Sequence, residues 1–279
     1  MLVTLDLFVI RRVGFSYRIA LSLSAYFLKS LLFNGLAKQK GEIFTVWQLF
    51  EGDSLEIMTG LQKESIDAVI TDPPYSSGGR TLSEKQQDPV KKYVQTGTKR
   101  KDATFAGDNR DQRSWCYWSI LWMNQAARLL KNGGRFYMFI DWRQLPTATD
   151  AVQAAGLIWR GLIAWDKGRG SRSPHTGYHR HQCEYVIFAT KGPCEKAPGR
   201  GPFDGCFHAT IPQSKLHPTQ KPEKIIQELV KAVEPGGLIL DPFAGSGTTL
   251  YVAEKEGRSS IGIEMEPVYC DVIRGRMAS

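Results

Sequence analysis

Residues 1 to 40 contain no apolar run near the ~20 residues that a membrane-spanning helix requires, their longest uncharged stretch being Ile19 to Leu28. That excludes a transmembrane helix there. Asp6, Arg11, Arg12, Arg18 and Lys29 interrupt the apolar patches, and no small-residue cleavage site follows, which speaks against a secretory signal. The segment reads as an amphipathic helix or a loosely ordered leader outside the main domain. Cysteine is sparse as well. The five at positions 116, 183, 194, 206 and 270 form no CxxC pair and no dense framework, so a disulfide scaffold is excluded and a reduced, cytoplasmic compartment is expected. His175, His179, His181 and Cys183 have no second tight ligand pair, and no metal site is expected. None of the cysteines has the partner pattern of a catalytic nucleophile, and there is no internal repeat.

What is present fits one substantial core with insertions better than two domains. Hydrophobic residues make up 42% and charged residues 23%, ordinary values for a globular protein. The net charge of +8 is unevenly spread. Residues 80 to 113 hold nine Lys/Arg against five Asp/Glu, residues 167 to 200 seven against two, and residues 1 to 40 six against one. These windows carry +14 together, which leaves −6 for the rest of the chain. A neutral to acidic body with basic segments suits a polyanion gripped by loops. Lysines scattered for solubility would account for any one window alone.

From Ile43 the pattern alternates between strand and helix. Phe44 to Phe50 reads as a strand, Gly52-Asp53 ends it, and Ser54 caps a short helix through Leu61. Asp67 to Thr71 is a second strand. Residues 76 to 111 form a long basic loop, placed where loops of that length are functional. Gln112 to Lys131 is a helix ending at Asn132-Gly133-Gly134, with Trp115, Trp118 and Trp122 at the spacing of a packed core stripe. Arg135 to Ile140, Leu157 to Trp165 and Glu184 to Thr190 read as strands, and Arg143 to Ala155 as a helix. Residues 167 to 182 form a second basic loop, and Gly192 to Ser214 an irregular surface segment. Helices are expected over Glu223 to Val233, Thr249 to Glu256 and Val268 to Arg276, and strands over Gly237 to Leu240 and Ser260 to Ile263. This alternation predicts an α/β fold: a three-layer, doubly wound, mainly parallel sheet.

Two stretches carry chemistry. In Asp72-Pro73-Pro74-Tyr75, the carboxylate and a backbone carbonyl can accept both N–H bonds of an exocyclic amine while the tyrosine stacks on the ring. A strand followed by a proline-fixed turn would read the same. The second stretch is Asp241-Pro242-Phe243-Ala244-Gly245-Ser246-Gly247-Thr248-Thr249, a strand, a Gly-x-Gly turn and a helix start of nucleotide-binding type. A triphosphate loop would need Gly-Lys-Ser/Thr, but Thr248 follows Gly247; a dinucleotide fingerprint needs a third glycine or alanine, but Leu250 stands there. S-adenosylmethionine remains, with Glu264 at the end of the next strand placed to bind the ribose hydroxyls.

The pairing of Asp-Pro-Pro-Tyr with Asp-Pro-Phe-Ala-Gly-Ser-Gly-Thr, joined by His217-Pro218-Thr219-Gln220-Lys221-Pro222, resembles the DNA amino-methyltransferases of the beta arrangement. The resemblance runs from about Ile43 to the C-terminus. It implies a class I, Rossmann-like methyltransferase domain over residues 41–279, circularly permuted so that the chain begins at the third cofactor strand and ends with the first two. By the same resemblance, S-adenosylmethionine would be held by Asp53 at its adenine, by Glu264 at its ribose, and by Phe243, Gly245, Gly247 and Thr248 around its methionine portion. Asp241 and Asp72 would border it, and Thr219 and Lys221 would help hold its carboxylate. Asp72, Pro73, Pro74 and Tyr75 would hold the target base.

Lys91, Lys92, Lys99, Arg100 and Lys101 in the first basic loop, and Arg169, Arg172, His179 and Arg180 in a short target-recognition segment, 167–216, are the expected contacts to double-stranded DNA. The resemblance allows a homodimer, which no motif specifies. Residues 1 to 40 have no counterpart in the pattern. Asp rather than Ser at the first motif position favours adenine N6 over cytosine N4. A non-catalytic DNA-binding protein on the same fold is the competing class, and the intact Asp72, Tyr75, Gly245, Gly247 and Glu264 oppose it. A nicotinamide oxidoreductase lacks its glycine pattern.

Overall fold

The computed structural model describes residues 8–12, 15–19, 45–76, 109–169, 173, 175–194, 196–197, 199–212, 217 and 220–278. Its centre is a sheet whose strands, in chain order, are β1 (Phe8–Arg12), β2 (Phe15–Ile19), β3 (Thr45–Glu51), β4 (Ile66–Thr71), β5 (Leu130–Ile140), β6 (Ile158–Asp166), β7 (Cys183–Thr190), β8 (Cys206–His208), β9 (Leu238–Asp241) and β10 (Ser259–Glu264). The helices among the described residues are α1 (Ser54–Thr59), α2 (Gln112–Leu129), α3 (Leu145–Ala154), α4 (Glu223–Lys231), α5 (Thr248–Lys255) and α6 (Pro267–Ala278).

Across the sheet the order is β2-β1-β3-β10-β9-β4-β5-β7-β6-β8. The run from β3 to β5 is parallel throughout, and β7 is antiparallel to both β5 and β6. The last two strands in the chain, β9 and β10, lie between the strand that opens the α/β pattern, β3, and β4. That insertion is the expected permutation seen as topology. Because β4 and β9 are neighbours whose following helices depart to opposite faces, their carboxyl ends form the switch point at which open α/β sheets bind ligands.

Alternate residues of the buried strands feed opposite layers, as a period of two dictates. Val69, Phe136, Met138 and Ile140 face α2 and α3, where Trp115, Trp122, Met123 and Val152 pack; Ile70, Tyr137, Phe139 and Ile239 face α4 and α5, where Ile225, Leu229, Val230 and Val252 pack. A third cluster, Trp47, Leu49, Leu250, Cys270, Ile273 and Met277, seats α6 against β3. Each large side chain so buried contributes roughly 1.5–3 kcal/mol.

Several sequence expectations change. Residues 8–12 and 15–19 are neither helix nor separate leader: β1 and β2 pair antiparallel and β1 extends the main sheet at β3. The α1 cap is Asp53, not Ser54, because the Asp53 carboxylate accepts from Leu55 N at 2.8 Å and Glu56 N at 3.2 Å, and the helix stops at Thr59. Asn132-Gly133-Gly134 does not cap α2; the chain turns extended at Leu130 and these residues lie inside β5, where Gly133 N donates to Lys191 O at 2.7 Å. The segment read as irregular contains β8, parallel to β6.

Candidate active site

Three neighbouring parallel strands end in acids at one rim: β4 runs into Asp72, β9 ends in Asp241 and β10 ends in Glu264. The first two are joined by Thr71 Oγ1, which donates to Asp241 Oδ1 at 2.8 Å, and that oxygen also accepts from Phe243 N at 3.1 Å. Burial pushes Asp241 up to about 6 despite its hydrogen bonds to Thr249 and Thr71. Glu264 holds the glycine turn in place. Its Oε2 accepts from Gly245 N at 2.7 Å and its Oε1 from Glu266 N at 2.9 Å, while burial pushes its carboxyl up to about 7.

The two turn glycines serve different ends. Gly247, at φ +72°, would place a Cβ 2.9 Å from Ile273 Cγ1, so it lets α6 close against the turn. Gly245, at φ +53°, leaves room for a Cβ without a clash but not open space, since that Cβ would come within 3.9 Å of the His217 ring. Phe243 stands beside the turn against Trp118, ring centroids 5.4 Å apart, and edge-on to Trp122 at 5.1 Å. The tryptophan stripe of α2 thus packs the core and also walls the site.

Asp72-Pro73-Pro74-Tyr75 leaves β4 as an extended turn pinned on both sides. Trp115 Nε1 donates to Pro74 O at 2.8 Å, and Gln144 Nε2, beyond β5, donates to Tyr75 O at 3.0 Å. Ser76 then adopts a left-handed φ of +52°, a conformation a non-glycine residue holds only under surrounding constraint. Inside the turn, Tyr75 OH donates to Asp72 Oδ1 at 2.6 Å. Asp72 Oδ2 accepts from Lys221 Nζ at 2.7 Å, and that ammonium also lies 3.6 Å from Glu184 Oε2. Glu184 Oε1 accepts from Lys167 Nζ at 3.1 Å.

The result is a largely buried row of alternating charges, Asp72, Lys221, Glu184, Lys167, with the two carboxylates about a fifth exposed. Burial alone would lower Lys221, but Asp72 and Glu184 outweigh it and hold its ammonium above the ordinary lysine value. Burial would raise Glu184, but Lys221 and Lys167 bring it below the usual carboxylate range. At Asp72 burial prevails and its carboxyl is raised, and Tyr75 is pushed well up by burial and then by Asp72.

Sequence reasoning named Asp72, Tyr75, Lys221, Asp241, Phe243, Gly245, Gly247, Thr248 and Glu264, and all of these gather at this rim; Thr248 opens α5, with Gly247 as its N-cap. Lys221 was expected beside a cofactor carboxylate, and its ammonium lies on Asp72. Asp53 stands at the end of β3 on the neighbouring side, engaged as a helix cap. Arg169, His179 and Arg180 are exposed. Lys91, Lys92, Lys99, Arg100, Lys101, Arg172 and Thr219 lie outside the described residues.

Glu184, Lys167, Trp115 and Gln144 were missed. A glutamate opening an otherwise apolar strand was the one available signal for Glu184. Also missed was an exposed aromatic rim: Trp142, 48% exposed, stacks on His181 at 5.7 Å, His181 meets Tyr178 at 6.2 Å, and the Arg143 guanidinium lies 5.0 Å from the Trp142 ring. Trp142 precedes Gln144, whose side chain reaches Tyr75, by two residues. Among the described residues no helix is long and apolar enough to cross a membrane, and no group of three His, Cys, Asp or Glu side chains could hold a metal.

A permuted, mainly parallel sheet with an acid at the end of each of three adjacent strands, and a glycine turn between two of them, defines an α/β methyltransferase fold. The chain belongs to the DNA methylase family whose model covers both N6 and N4 enzymes, and that model matches residues 66–275. It is 28% identical over 273 residues to the type II methyltransferase M.ScaI of Streptomyces caespitosus, covering 82% of this chain and 80% of that one. It is also 28% identical over 249 residues to the type II methyltransferase M2.DpnII of Streptococcus pneumoniae, covering 82% and 88%. The fold matches the M1.HpyAVI–SAM complex with a TM-score of 0.61 at 21% identity, over 84% of this chain and 100% of that one. The cytosine-N4-specific PvuII DNA methyltransferase matches with a TM-score of 0.60 at 21% identity, over 82% and 86%.

Proposed function

We propose that this DNA methylase moves a methyl group from S-adenosylmethionine to the exocyclic N6 amine of an adenine turned out of duplex DNA. The observation that carries the reading is the placement of Asp72, the Pro73 carbonyl and Tyr75 beside the Gly245 turn and Glu264, across the β4–β9 junction. The residues fit a nucleoside-bearing ligand. Glu264 is a buried acid with lone pairs left for ribose hydroxyls, Gly245 is a left-handed glycine with no Cβ at the turn, and Phe243 with Trp118 supplies an apolar wall. In this reading Asp53 serves the ligand's adenine, and Gly247 and Thr248 shape the turn around its methionine end. Thr219 serves its carboxylate, while Lys221, which the resemblance assigns to the same end, is engaged by Asp72.

S-adenosylmethionine supplies an electrophilic methyl on a sulfonium. The base supplies the nucleophile: as its nitrogen bonds the methyl, the carbon–sulfur bond breaks to leave the neutral thioether S-adenosylhomocysteine, and the methylated nitrogen gives up one of its protons. An adenine amine is weak because its lone pair is delocalised into the ring; accepting both of its N–H bonds with Asp72 and the Pro73 carbonyl returns density to nitrogen and aims the lone pair. Tyr75 holds the ring by stacking. Positioning and electrostatics do the rest, with no covalent enzyme intermediate. Turning the base out costs a few kcal/mol, which stacking and the basic segments offset; Arg169, His179 and Arg180, with the Trp142 rim, face the duplex in this reading. Sequencing the DNA of an expressing cell for modified bases tests the proposal. N6-methyladenine at a defined site is the expected result, and N4-methylcytosine would overturn the choice of base.

A further inference from the structure

Lys221 sits where it opposes the chemistry just described. Asp72 has to push electron density toward the target amine, yet one of its oxygens is tied to an ammonium at 2.7 Å and the other to the Tyr75 hydroxyl at 2.6 Å. An ammonium on a carboxylate withdraws the charge that the amine needs. An alternative seat for that ammonium stands next to it. Glu184 Oε2 is buried and accepts no hydrogen bond, and it lies 3.6 Å from Lys221 Nζ.

We propose that Glu184 is a positioning residue for methyl transfer: when the target amine reaches Asp72, Glu184 takes over the Lys221 ammonium and leaves Asp72 free to accept from the amine. This rests on the reading of Asp72 as the amine acceptor. A shift of about 1 Å brings Lys221 to the ~2.8 Å of a charge-assisted hydrogen bond with Glu184. The move stays inside one aromatic cage, since Nζ lies 5.2 Å from the Tyr75 ring centroid and 5.5 Å from that of Phe139. It creates no net buried charge, because Asp72 and Glu184 balance Lys221 and Lys167 before and after. Glu184 itself is held still. It lies on β7 opposite Trp165, and Lys167 grips its other oxygen while the Lys167 backbone N–H bonds Gln182 O at 2.9 Å. Those last two residues bound the basic 167–182 segment, so the seat for Lys221 is fixed by the part of the chain expected to meet DNA.

The test is steady-state and single-turnover methylation of duplex DNA by Glu184→Gln, with Asp72→Asn in parallel. Glutamine keeps the shape and removes the charge that draws Lys221 away. Turnover in Glu184→Gln should fall about ten- to a hundredfold, the range for one hydrogen bond to a charged group, with KM for S-adenosylmethionine unchanged. In a Lys221→Met background the same change should cost less than about twofold more, since residues acting through one another are not additive. Turnover within about twofold of the parent, or an equal loss in the Lys221→Met background, would overturn the proposal. If Glu184→Gln does not fold, Glu184→Gln/Lys167→Met removes one charge of each sign and must show the same fall. Normal turnover in Asp72→Asn overturns the reading of Asp72 itself; a dead Asp72→Asn with a normal Glu184→Gln overturns only the role of Glu184.

Discussion

Replacing Asp72 by Asn tests the site most sharply because the structure dictates which way the amide must face. Lys221 offers only donors, so the amide oxygen has to take the Oδ2 position, 2.7 Å from Nζ. The NH2 group then occupies the Oδ1 position beside the Tyr75 hydroxyl, and the oxygen that Lys221 would yield to the target amine becomes a neutral amide oxygen. The Tyr75 hydroxyl can turn to accept from that NH2, but the formal negative charge that returns density to the amine is gone. Losing one preorganised electrostatic partner of this kind costs ~10²–10³ in turnover, about 3–4 kcal/mol. Stability should fall by less, roughly 1–3 kcal/mol, because Lys221 keeps a neutral acceptor and Glu184 stays nearby. S-adenosylmethionine affinity should change far less than turnover, since the partners expected at its adenine, ribose and methionine portions, Asp53, Glu264 and the Gly245–Gly247 turn, are untouched. Transfer of radiolabelled methyl into duplex DNA reads the first quantity, chemical denaturation the second and titration calorimetry the third. Turnover within a few-fold of the parent would refute the mechanism.

Glu264→Gln should weaken S-adenosylmethionine binding by about ten- to a hundredfold in calorimetry, with unchanged affinity showing the ribose site to be elsewhere. The parent's affinity should rise between about pH 6 and 8, because ribose hydroxyls favour the ionised carboxyl and Glu264 sheds its proton only near 7; the glutamine variant should lose that slope. The same group shapes stability. The unfolded glutamate ionises near 4.5 while the folded one keeps its proton to about 7, so stability falls as pH rises through that window and levels off above it. Trp115→Phe strips the donor from the Pro74 carbonyl and should cost about 1–3 kcal/mol by denaturation, together with a loss of turnover. Gly247→Ala forces a left-handed residue into Ile273 and should cost about 1–3 kcal/mol; an unchanged melting temperature would show the turn to be free to relax. Trp142→Ala should raise KM for DNA and leave KM for S-adenosylmethionine alone, and equal effects on both would place the aromatic rim outside the DNA interface.

The parallel core was legible because its strands are buried on both faces and so read as continuous apolar runs, such as Ala68-Val69-Ile70 and Leu238-Ile239-Leu240. The α2 boundary was not, since Asn132-Gly133-Gly134 carries the local signature of a helix stop yet is drawn into β5 by pairing with Lys191, some 60 positions away. β1 and β2 escaped for a similar reason: a two-stranded hairpin owes its state to the edge of β3 on which it pairs, and no local propensity encodes that edge. The α1 cap was misplaced by one residue, as Asp53 and Ser54 are both good cap formers and only the backbone geometry separates them.

For the site, the sequence by itself determined which residues could bear the chemistry. Asp72-Pro73-Pro74-Tyr75 and the Gly245–Gly247 turn are short-range patterns whose residue types are fixed by what they must contact, so they are readable without coordinates. Tertiary structure alone decided what those groups contact in the folded chain. Thr71 and Asp241 are 170 positions apart and Asp72 and Lys221 are 149, distances over which no periodicity or propensity carries information. Only the permuted order of the sheet brings the ends of β4, β9 and β10 to one rim, and only burial there turns ordinary acids and lysines into a coupled row. That Lys221 lies on Asp72, with Glu184 as its second seat, is therefore a fact of packing.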